Sequence, residues 1–288
     1  LRGFNLFKEM WEGIENTVLR QILSMRLTAE QKQQAEEGAE YETAVTRANR
    51  NAQEPRRRAG AGRAAAGNEQ IAKLQDAARD AMKGEFEKGV SDAGFTLAGW
   101  GDVGAVHLMS KGFQVHTPDD IKGKKPYMWR DDAVQPILYQ VIGGVTPVPL
   151  NVPEVLPQLN TGAIDIVNAP SLAAEQLQWS SKLDTIVSDV SALAIGALVF
   201  QTKRLDALPA DQKAIVMDTG KIAANALTKR IRDEDAAAYK RMSGKMTVVT
   251  LTADEKSKWD SIFKQTRQRL GQGTFDAGLV AKLEGLAR

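Results

Sequence analysis

The sequence pattern changes near residue 95, and this change constrains the fold more than any other feature of the chain. Residues 1–94 contain a single proline and are rich in Ala, Glu, Gln, Lys and Arg, which favour helices. After residue 95, short apolar and β-branched segments alternate with segments of helical periodicity. This alternation is typical of α/β proteins, so the sequence predicts an α/β fold preceded by a helix-rich region.

The pattern after residue 95 predicts a definite order of elements, with Gly162 ending one helix and Thr252 beginning another. Residues Ile215, Ile222, Ala226 and Ile231 mark one apolar face of a long helix. The predicted strands are 95–100, 105–109, 126–129, 163–167, 185–190, 192–202 and 246–251, and the predicted helices are 131–142, 152–161, 170–179, 209–242, 252–270 and 275–286.

The N-terminal region, residues 1–70, is predicted to be rich in helix. Apolar residues recur at three- and four-residue steps from Phe7 to Met25 and form one amphipathic face. Residues 54–67 combine Pro, Gly, Ala and Arg without periodicity, which predicts a linker. A helix is expected to follow, with Asn68 as its cap.

Composition excludes several classes of function. The chain has no cysteine, so it has no disulfide, zinc–thiolate site, iron–sulfur cluster or cysteine nucleophile. A net charge of +2 offers no strong field for nucleic acid, and no nucleic-acid partner is expected. The longest apolar run, Ala192–Phe200, falls far short of the roughly 20 residues of a membrane-spanning helix. The start at Leu1, without a signal-peptide pattern, is expected of a mature or trimmed chain.

Motifs of catalysis and cofactor binding are weak in this sequence. Residues 99–104 satisfy G-x-G-x-x-G, but the short segment after them leaves no room for the helix that a dinucleotide site needs, so we expect a strand, a turn and a strand. His107 and His116 lack flanking carboxylates at metal-binding spacing. Acidic clusters such as residues 233–235 are interpreted as solvated helix surface. We expect no enzymatic activity, no metal and no cofactor.

Four segments occur in an order that carries a family resemblance. They are GFTLAGWGDVGAVHLMSKGFQVHTPDDIKGKK, GGVTPVPLNVPEVLPQLNTGAIDIVNAP, LAAEQLQW and KRLDALPADQKAIV. Over about residues 93–265 the chain resembles the DctP-like extracytoplasmic solute-binding subunits of TRAP-type transporters. The specificity of the resemblance lies in the ordered set, since any one segment is a weak signal.

The resemblance implies a two-lobe fold like that of periplasmic binding proteins, with a solute held in a central cleft. It also implies a periplasmic location, a small-molecule or lipid-like ligand, and membrane transporter components as partners. The N-terminal helix-rich region has no clear counterpart in the family. With residues 1–70 set apart, we expect lobe I to comprise residues 71–106 and 200–251, and lobe II residues 107–199 and 252–288.

Departures from the family pattern concern the ligand. The family's carboxylate-binding Arg, a residue suited to bidentate pairing, aligns with Tyr127, and a second Arg of some members aligns near Val106. Ala169 stands where an amide is common, between Asn168 and Pro170. Tyr127 and Trp129 share a strand face, and with Trp100 they either line an apolar cleft or fill a lobe core. The predicted ligand-binding residues are Trp100, Val106, Tyr127, Trp129, Asn168, Ala169 and Pro170.

Three functions remain to be weighed. The first is a solute-binding protein for a relatively apolar, possibly lipid-like ligand, with a TRAP-type organic-acid binding protein as the alternative. The second is a helical interaction or scaffold protein with a vestigial cleft, which docks a partner through the face from Phe7 to Met25. The third is an enzyme, with Asp165 or Glu154 as general base.

Overall fold

The computed structural model describes residues 58–286. The chain divides after Gln70 into two units, and of the first unit only residues 58–70 are described. The described strands are β1 (Phe95–Ser110), β2 (Tyr127–Trp129), β3 (Val148–Leu150), β4 (Ile166–Pro170), β5 (Thr185–Val187), β6 (Ala192–Gln201) and β7 (Thr247–Val249).

The described α-helices begin with a long one that leads into β1. They are α1 (Arg58–Asp92), α2 (Gln135–Ile142), α3 (Val152–Thr161), α4 (Ser171–Gln176), α5 (Thr202–Asp206), α6 (Ala210–Ser243), α7 (Ala253–Leu270) and α8 (Ala277–Leu286). Two short 3-10 helices, Pro118–Ile121 and Trp179–Lys182, complete the set. From residue 95 onward this order confirms the predicted alternation of strands and helices.

Local signals for helix ends agree with the structure. The Thr252 side chain accepts a hydrogen bond from the Glu255 backbone N–H, and Glu255 bonds back to the Thr252 N–H, which is a capping box. Gly162 follows α3 in the left-handed conformation at φ 73°, as expected of a glycine that ends a helix. These ends depend on a few neighbouring residues, which explains why the sequence predicts them well.

The linker prediction for residues 54–67 does not hold where the chain is described. Residues 58–67 belong to α1, so the helix begins well before the predicted cap at Asn68. Alanine and arginine are strong helix formers, and a single glycine inside a helix costs only about 1 kcal/mol relative to alanine. The Ala- and Arg-rich composition therefore outweighs the glycines. The predicted face from Phe7 to Met25 lies outside the described residues.

Strand β1 is continuous for 16 residues and connects two groups of elements. Its residues Phe95–Val106 pair antiparallel with β6, and Val106–Ser110 pair antiparallel with β4. The register shifts between Leu97 and Gly99 and between Asp102 and Gly104, as in β-bulges. The predicted strand–turn–strand is therefore wrong. The glycines of the G-x-G-x-x-G segment lie within a strand, because β6 supplies hydrogen-bond partners along this length.

The expected division into two lobes stays a prediction, and strand pairing groups β6 and β7 differently from that division. The larger sheet has the order β4-β1-β5-β7, with β6 also paired to β1. Strand β6 pairs with the first part of β1, and β7 runs parallel to β5. As names for groups of elements, we use lobe I for α1 from Ile71 onward, the first part of β1, β6, α5 and the start of α6, and lobe II for β2–β5, β7, the end of β1, and α2, α3, α4 and α7. The expected boundaries differ because pairing follows hydrogen-bond partners rather than chain order.

Two apolar cores cover the two faces of the lobe II sheet. One, which we name the Trp179 core, includes Tyr127, Val167 and Ala169 with residues of α3, α4 and the end of α6. The other, the Trp259 core, includes Leu108 and Ile166 with residues of α2 and α7. Alternate residues of β4 belong to opposite cores, as the two-residue period of a strand requires.

Helix α6 packs with a different face from the one predicted. Ile222 is 69% exposed, whereas Gly220 and Ala224 are buried against β1. A Cβ added at Gly99 would lie 2.5 Å from the Ala224 Cβ, so the helix and strand approach closely. Small residues permit this approach and large ones would prevent it, which is why the isoleucine face is not the buried one.

Among the described residues, no helix is long and apolar enough to span a membrane.

Candidate functional site

The candidate site lies where β1 leaves lobe I and enters lobe II. Val106 pairs with Ala192 of β6 and with Pro170 of β4, so it marks the point at which the pairing changes. Its carbonyl accepts hydrogen bonds from the Ser191 backbone N–H at 2.9 Å and from the Ser191 hydroxyl at 3.1 Å. We call this place the crossing point. Val106 and Pro170, both predicted ligand residues, are cross-strand partners there.

Tyr127 packs inside lobe II. It is 6% exposed, belongs to the Trp179 core, and its ring centroid lies 5.7 Å from that of Trp179 in an edge-on arrangement. Burial raises the pKa of the Tyr127 hydroxyl, with a smaller contribution from Asp132. Of the two roles that the sequence left open for this ring, the described contacts are those of a core residue. Ala169 is also buried in the Trp179 core.

Asn168 faces the other side of the sheet from Tyr127. It pairs with Leu108 of β1 and is half-buried, and its side-chain amide donates to the Tyr139 hydroxyl at 3.5 Å. Tyr139 is buried in the Trp259 core, and this burial raises the pKa of its hydroxyl well above the usual range. Sequence reasoning did not identify Tyr139 as a partner for Asn168, because the two lie 29 residues apart in the chain.

The two tryptophans among the predicted ligand residues have different surroundings. Trp129, at the end of β2, is 52% exposed. Trp100 belongs to lobe I, where its ring lies 5.6 Å from Phe86 and its carbonyl accepts from the Thr228 hydroxyl at 3.3 Å. It lines an open cavity of about 670 Å³ between α1 and α6 whose lining includes none of the other predicted ligand residues. The structure thus pairs Val106 with Pro170 and packs Tyr127 and Ala169 in one core, whereas Trp100 lines a separate cavity and Trp129 is half-exposed.

Asp235 of α6 is a buried acid that contacts both sides of the crossing point. The sequence interpretation of residues 233–235 as solvated surface is wrong for this residue, which is 6% exposed. Its Oδ2 accepts from the Ala105 backbone N–H at 3.0 Å, and its Oδ1 accepts from the Leu172 backbone N–H at 2.8 Å. Burial raises the pKa of the Asp235 carboxyl against these bonds. Its helical spacing from the buried residues Ala238 and Met242 was the signal available in the sequence.

The contacts of His107 are those of a buried structural residue. It is buried, its Nδ1 lies 2.9 Å from the Val187 carbonyl oxygen, and its ring stacks on Tyr239 at 4.6 Å between centroids. Burial lowers the pKa of the His107 imidazole, against the opposing effect of the Val187 hydrogen bond. Among the residues that the structure describes, no three His, Cys, Asp or Glu side chains are grouped as metal ligands.

The burial of His107 predicts a pH dependence of stability. The unfolded chain binds a proton at this histidine below its ordinary pKa of 6.5. In the folded chain the pKa of His107 is lower, so the imidazole stays neutral to a lower pH. The free energy of unfolding should therefore fall as the pH drops below 6.5, by up to about 1.4 kcal/mol per pH unit, until the lowered folded-state pKa is reached. Urea unfolding from pH 7 to pH 5 measures this. His107→Gln should remove this part of the slope, and His116→Gln, at a partly exposed histidine, is the matched control. Equal slopes in the parent and His107→Gln would contradict the prediction.

The two candidate general bases have other roles. Glu154 accepts from the Asn151 backbone N–H at 2.6 Å and from Arg130 at 3.2 Å. These bonds, with the Asn151 N–H contributing most, lower the pKa of the Glu154 carboxyl, which makes it a poorer base. Asp165 accepts from the Lys125 backbone N–H at 2.9 Å, and its own carbonyl accepts from the Lys111 N–H. Glu154 thus caps the start of α3, and Asp165 joins the segments at Lys111 and Lys125.

Comparison with known proteins identifies a family. The family model described as bacterial extracellular solute-binding protein, family 7 (DctP), matches residues 67–272. No curated protein matches the sequence.

Solved structures share the fold at low sequence identity. A TRAP periplasmic solute-binding protein from Shewanella oneidensis with bound succinate is 17% identical, with 74% of this chain and 71% of that chain covered at a TM-score of 0.68. A Bordetella pertussis extracytoplasmic solute receptor binding pyroglutamic acid is 15% identical, with coverage of 74% and 69% at 0.66. A TRAP periplasmic solute-binding protein from Sulfitobacter sp. with bound β-D-galacturonate is 19% identical, with coverage of 70% and 67% at 0.64.

Proposed function

The chain belongs to family 7 of the bacterial extracellular solute-binding proteins (DctP), and from this premise we propose that it captures a relatively apolar, uncharged solute beside the crossing point. Family membership makes it an extracytoplasmic binding protein of a TRAP transporter. Such a protein binds a small molecule and works with membrane transporter components rather than catalysing a reaction. The class of solute is the part that the proposal adds.

One observation carries the proposal of an apolar solute. The family resemblance places Tyr127 where other members have a carboxylate-binding Arg, and Tyr127 is packed into the Trp179 core. Val106, near the position of the second Arg, pairs with Pro170 and has no charged group to offer. A carboxylate moved out of water without a charged or hydrogen-bonding partner loses several kcal/mol. An uncharged solute does not incur this cost, and the Asn168 amide can still orient one polar group.

A small organic acid is the second candidate. The similar structures from Shewanella and Bordetella were solved with succinate and pyroglutamic acid. In this chain Arg130 follows β2 and is half-exposed, with Glu154 as its partner at 3.2 Å. An acid would have to take the place of Glu154 on this guanidinium, which is a bidentate donor for carboxylates.

The vestigial-cleft scaffold function depends on the face from Phe7 to Met25, outside the described residues.

A binding panel separates the two candidates. We expect the neutral apolar probe N-phenyl-1-naphthylamine to bind with micromolar affinity, and succinate and D-glucuronate to bind at least tenfold more weakly. Isothermal titration and probe fluorescence measure both. Arg130→Ala is the decisive variant, because it leaves Tyr127 and Asn168 in place. Micromolar succinate binding that is lost in Arg130→Ala would establish the organic-acid candidate instead.

A further inference from the structure

We propose that Asp235 is a positioning residue that holds the crossing point in the geometry that binds solute. The inference rests on the proposed function, since the solute is taken to bind beside Val106 and Pro170. Asp235 lies on α6, outside the two strands whose pairing marks the crossing point. Asp235 acts through β1 and the start of α4 and is not itself a contact of the solute.

The carboxylate joins β1 to the start of α4, directly after β4, through separate oxygens. Oδ2 accepts from the N–H of Ala105, next to Val106, and Oδ1 accepts from the N–H of Leu172, two residues after Pro170. Each N–H lies within two residues of one partner of the Val106–Pro170 pair. A group with two acceptor oxygens at fixed separation can hold both N–H groups at once, and hydrogen bonds to an ionised acceptor are stronger than neutral ones.

The backbone around the Asp235 carboxylate is closely packed. Gly104 has φ +134°, a conformation that other residues rarely adopt. A Cβ added there would lie 2.8 Å from the Pro170 Cβ and 2.8 Å from the Asp235 Cγ. Gly104 therefore allows α6 and β4 to meet β1 at this bulge. By contrast, a Cβ added at Gly101 of the same strand would contact nothing within 4 Å.

Three segments that connect the lobes converge on this place. They are β1, the segment that leads from β5 to Ser191 and β6, and α6. Tyr239, one turn beyond Asp235, stacks on His107 of β1. Asp189 in the β5–β6 segment pairs with Lys256 of α7 at 2.5 Å. Among the described side chains, Asp235 hydrogen-bonds to both β1 and the start of α4. A change in it should therefore alter how β1 and α4 are held together while each lobe core remains packed.

The first test uses the full chain without solute. Asp235→Asn keeps the shape of the side chain but turns one acceptor into a donor facing a backbone N–H. We expect amide hydrogen exchange at Ala105 and Leu172 to become at least tenfold faster, while the amide of Val249 in β7 is unchanged. Gly104→Ala should have the same local effect. The matched controls, Asp233→Asn on the exposed side of α6 and Gly101→Ala on β1, should leave both amides as in the parent.

The second test measures binding of N-phenyl-1-naphthylamine and of succinate under conditions where every variant is fully folded. Asp235→Asn and Gly104→Ala should each weaken the probe that binds the parent by at least tenfold, beyond any change in the controls. Unchanged exchange at Ala105 and Leu172, or unchanged affinity in both variants, would overturn the inference. If neither probe binds the parent, the proposed solute class fails, and the exchange result alone decides whether Asp235 holds the crossing point.

Discussion

Replacing Asp102 with asparagine is expected to lower the free energy of unfolding by about 3–5 kcal/mol. The Asp102 carboxylate on β1 is fully buried between two arginines, with Arg79 of α1 at 3.2 Å and Arg232 of α6 in direct contact. Arg232 also bonds to both carboxylate oxygens of Asp76 at 2.6 and 3.1 Å. Without the charge of Asp102, two guanidinium groups share the half-exposed carboxylate of Asp76, and the buried side of the cluster at Arg79 keeps an unbalanced positive charge, which is costly.

Urea unfolding followed by far-UV circular dichroism measures this loss. Lys88→Ala is the matched control, because its ion pair with Asp92, at 2.5 Å, is exposed on the same helix as Arg79. Exposed pairs of this kind contribute no more than about 0.5 kcal/mol. A loss below about 1 kcal/mol for Asp102→Asn would show that the two arginines find other partners, and that this cluster does not hold β1 between α1 and α6.

Truncating Tyr127 to alanine is the second change with a large expected effect. The ring is buried against Trp179, and removing a buried aromatic ring costs about 3–5 kcal/mol through lost contacts and the cavity left behind. Tyr127→Phe keeps the ring and should cost less than about 1.5 kcal/mol. Trp129→Ala, two residues along the same strand face, removes a ring that is 52% exposed and should cost about 1 kcal/mol or less.

The same three variants distinguish a core ring from a ligand-binding ring. If Tyr127 is a core residue, Tyr127→Ala lowers the unfolding free energy, and binding of N-phenyl-1-naphthylamine by the folded fraction stays within about threefold of the parent. Full stability together with a tenfold loss of binding would contradict the core role. The same pattern in Trp129→Ala would identify that ring as a solute contact.

Local sequence determined much of this protein. The alternation of strands and helices after residue 95, the helix end at Gly162 and the capped start at Thr252 depend on near neighbours, and each was predicted correctly. The ordered segments between residues 93 and 265 also indicated the family that the model match over residues 67–272 shows. In both cases, the information lies in short stretches of chain that can be interpreted without knowing what they contact.

Tertiary structure alone decided what each residue touches. The glycines of residues 99–104 look like a turn in sequence, yet they lie in a strand because β6 pairs with them. Ile222 looks like a core residue and is exposed, because the close approach of α6 to β1 favours Gly220 and Ala224. Burial of this kind depends on partners far away in the chain, and periodicity carries no information about them.

The candidate site shows the same division. The sequence placed the predicted residues on three segments that the structure shows as β1, β2 and β4, and their part in binding stays a prediction. The sequence did not determine their surroundings, because Tyr127 and Trp129 share a strand face but differ in burial according to what packs over each end of β2. Asp235 was hidden in an acidic cluster, and its importance depends on two N–H groups that only folding brings to it, 130 and 63 residues away in the chain.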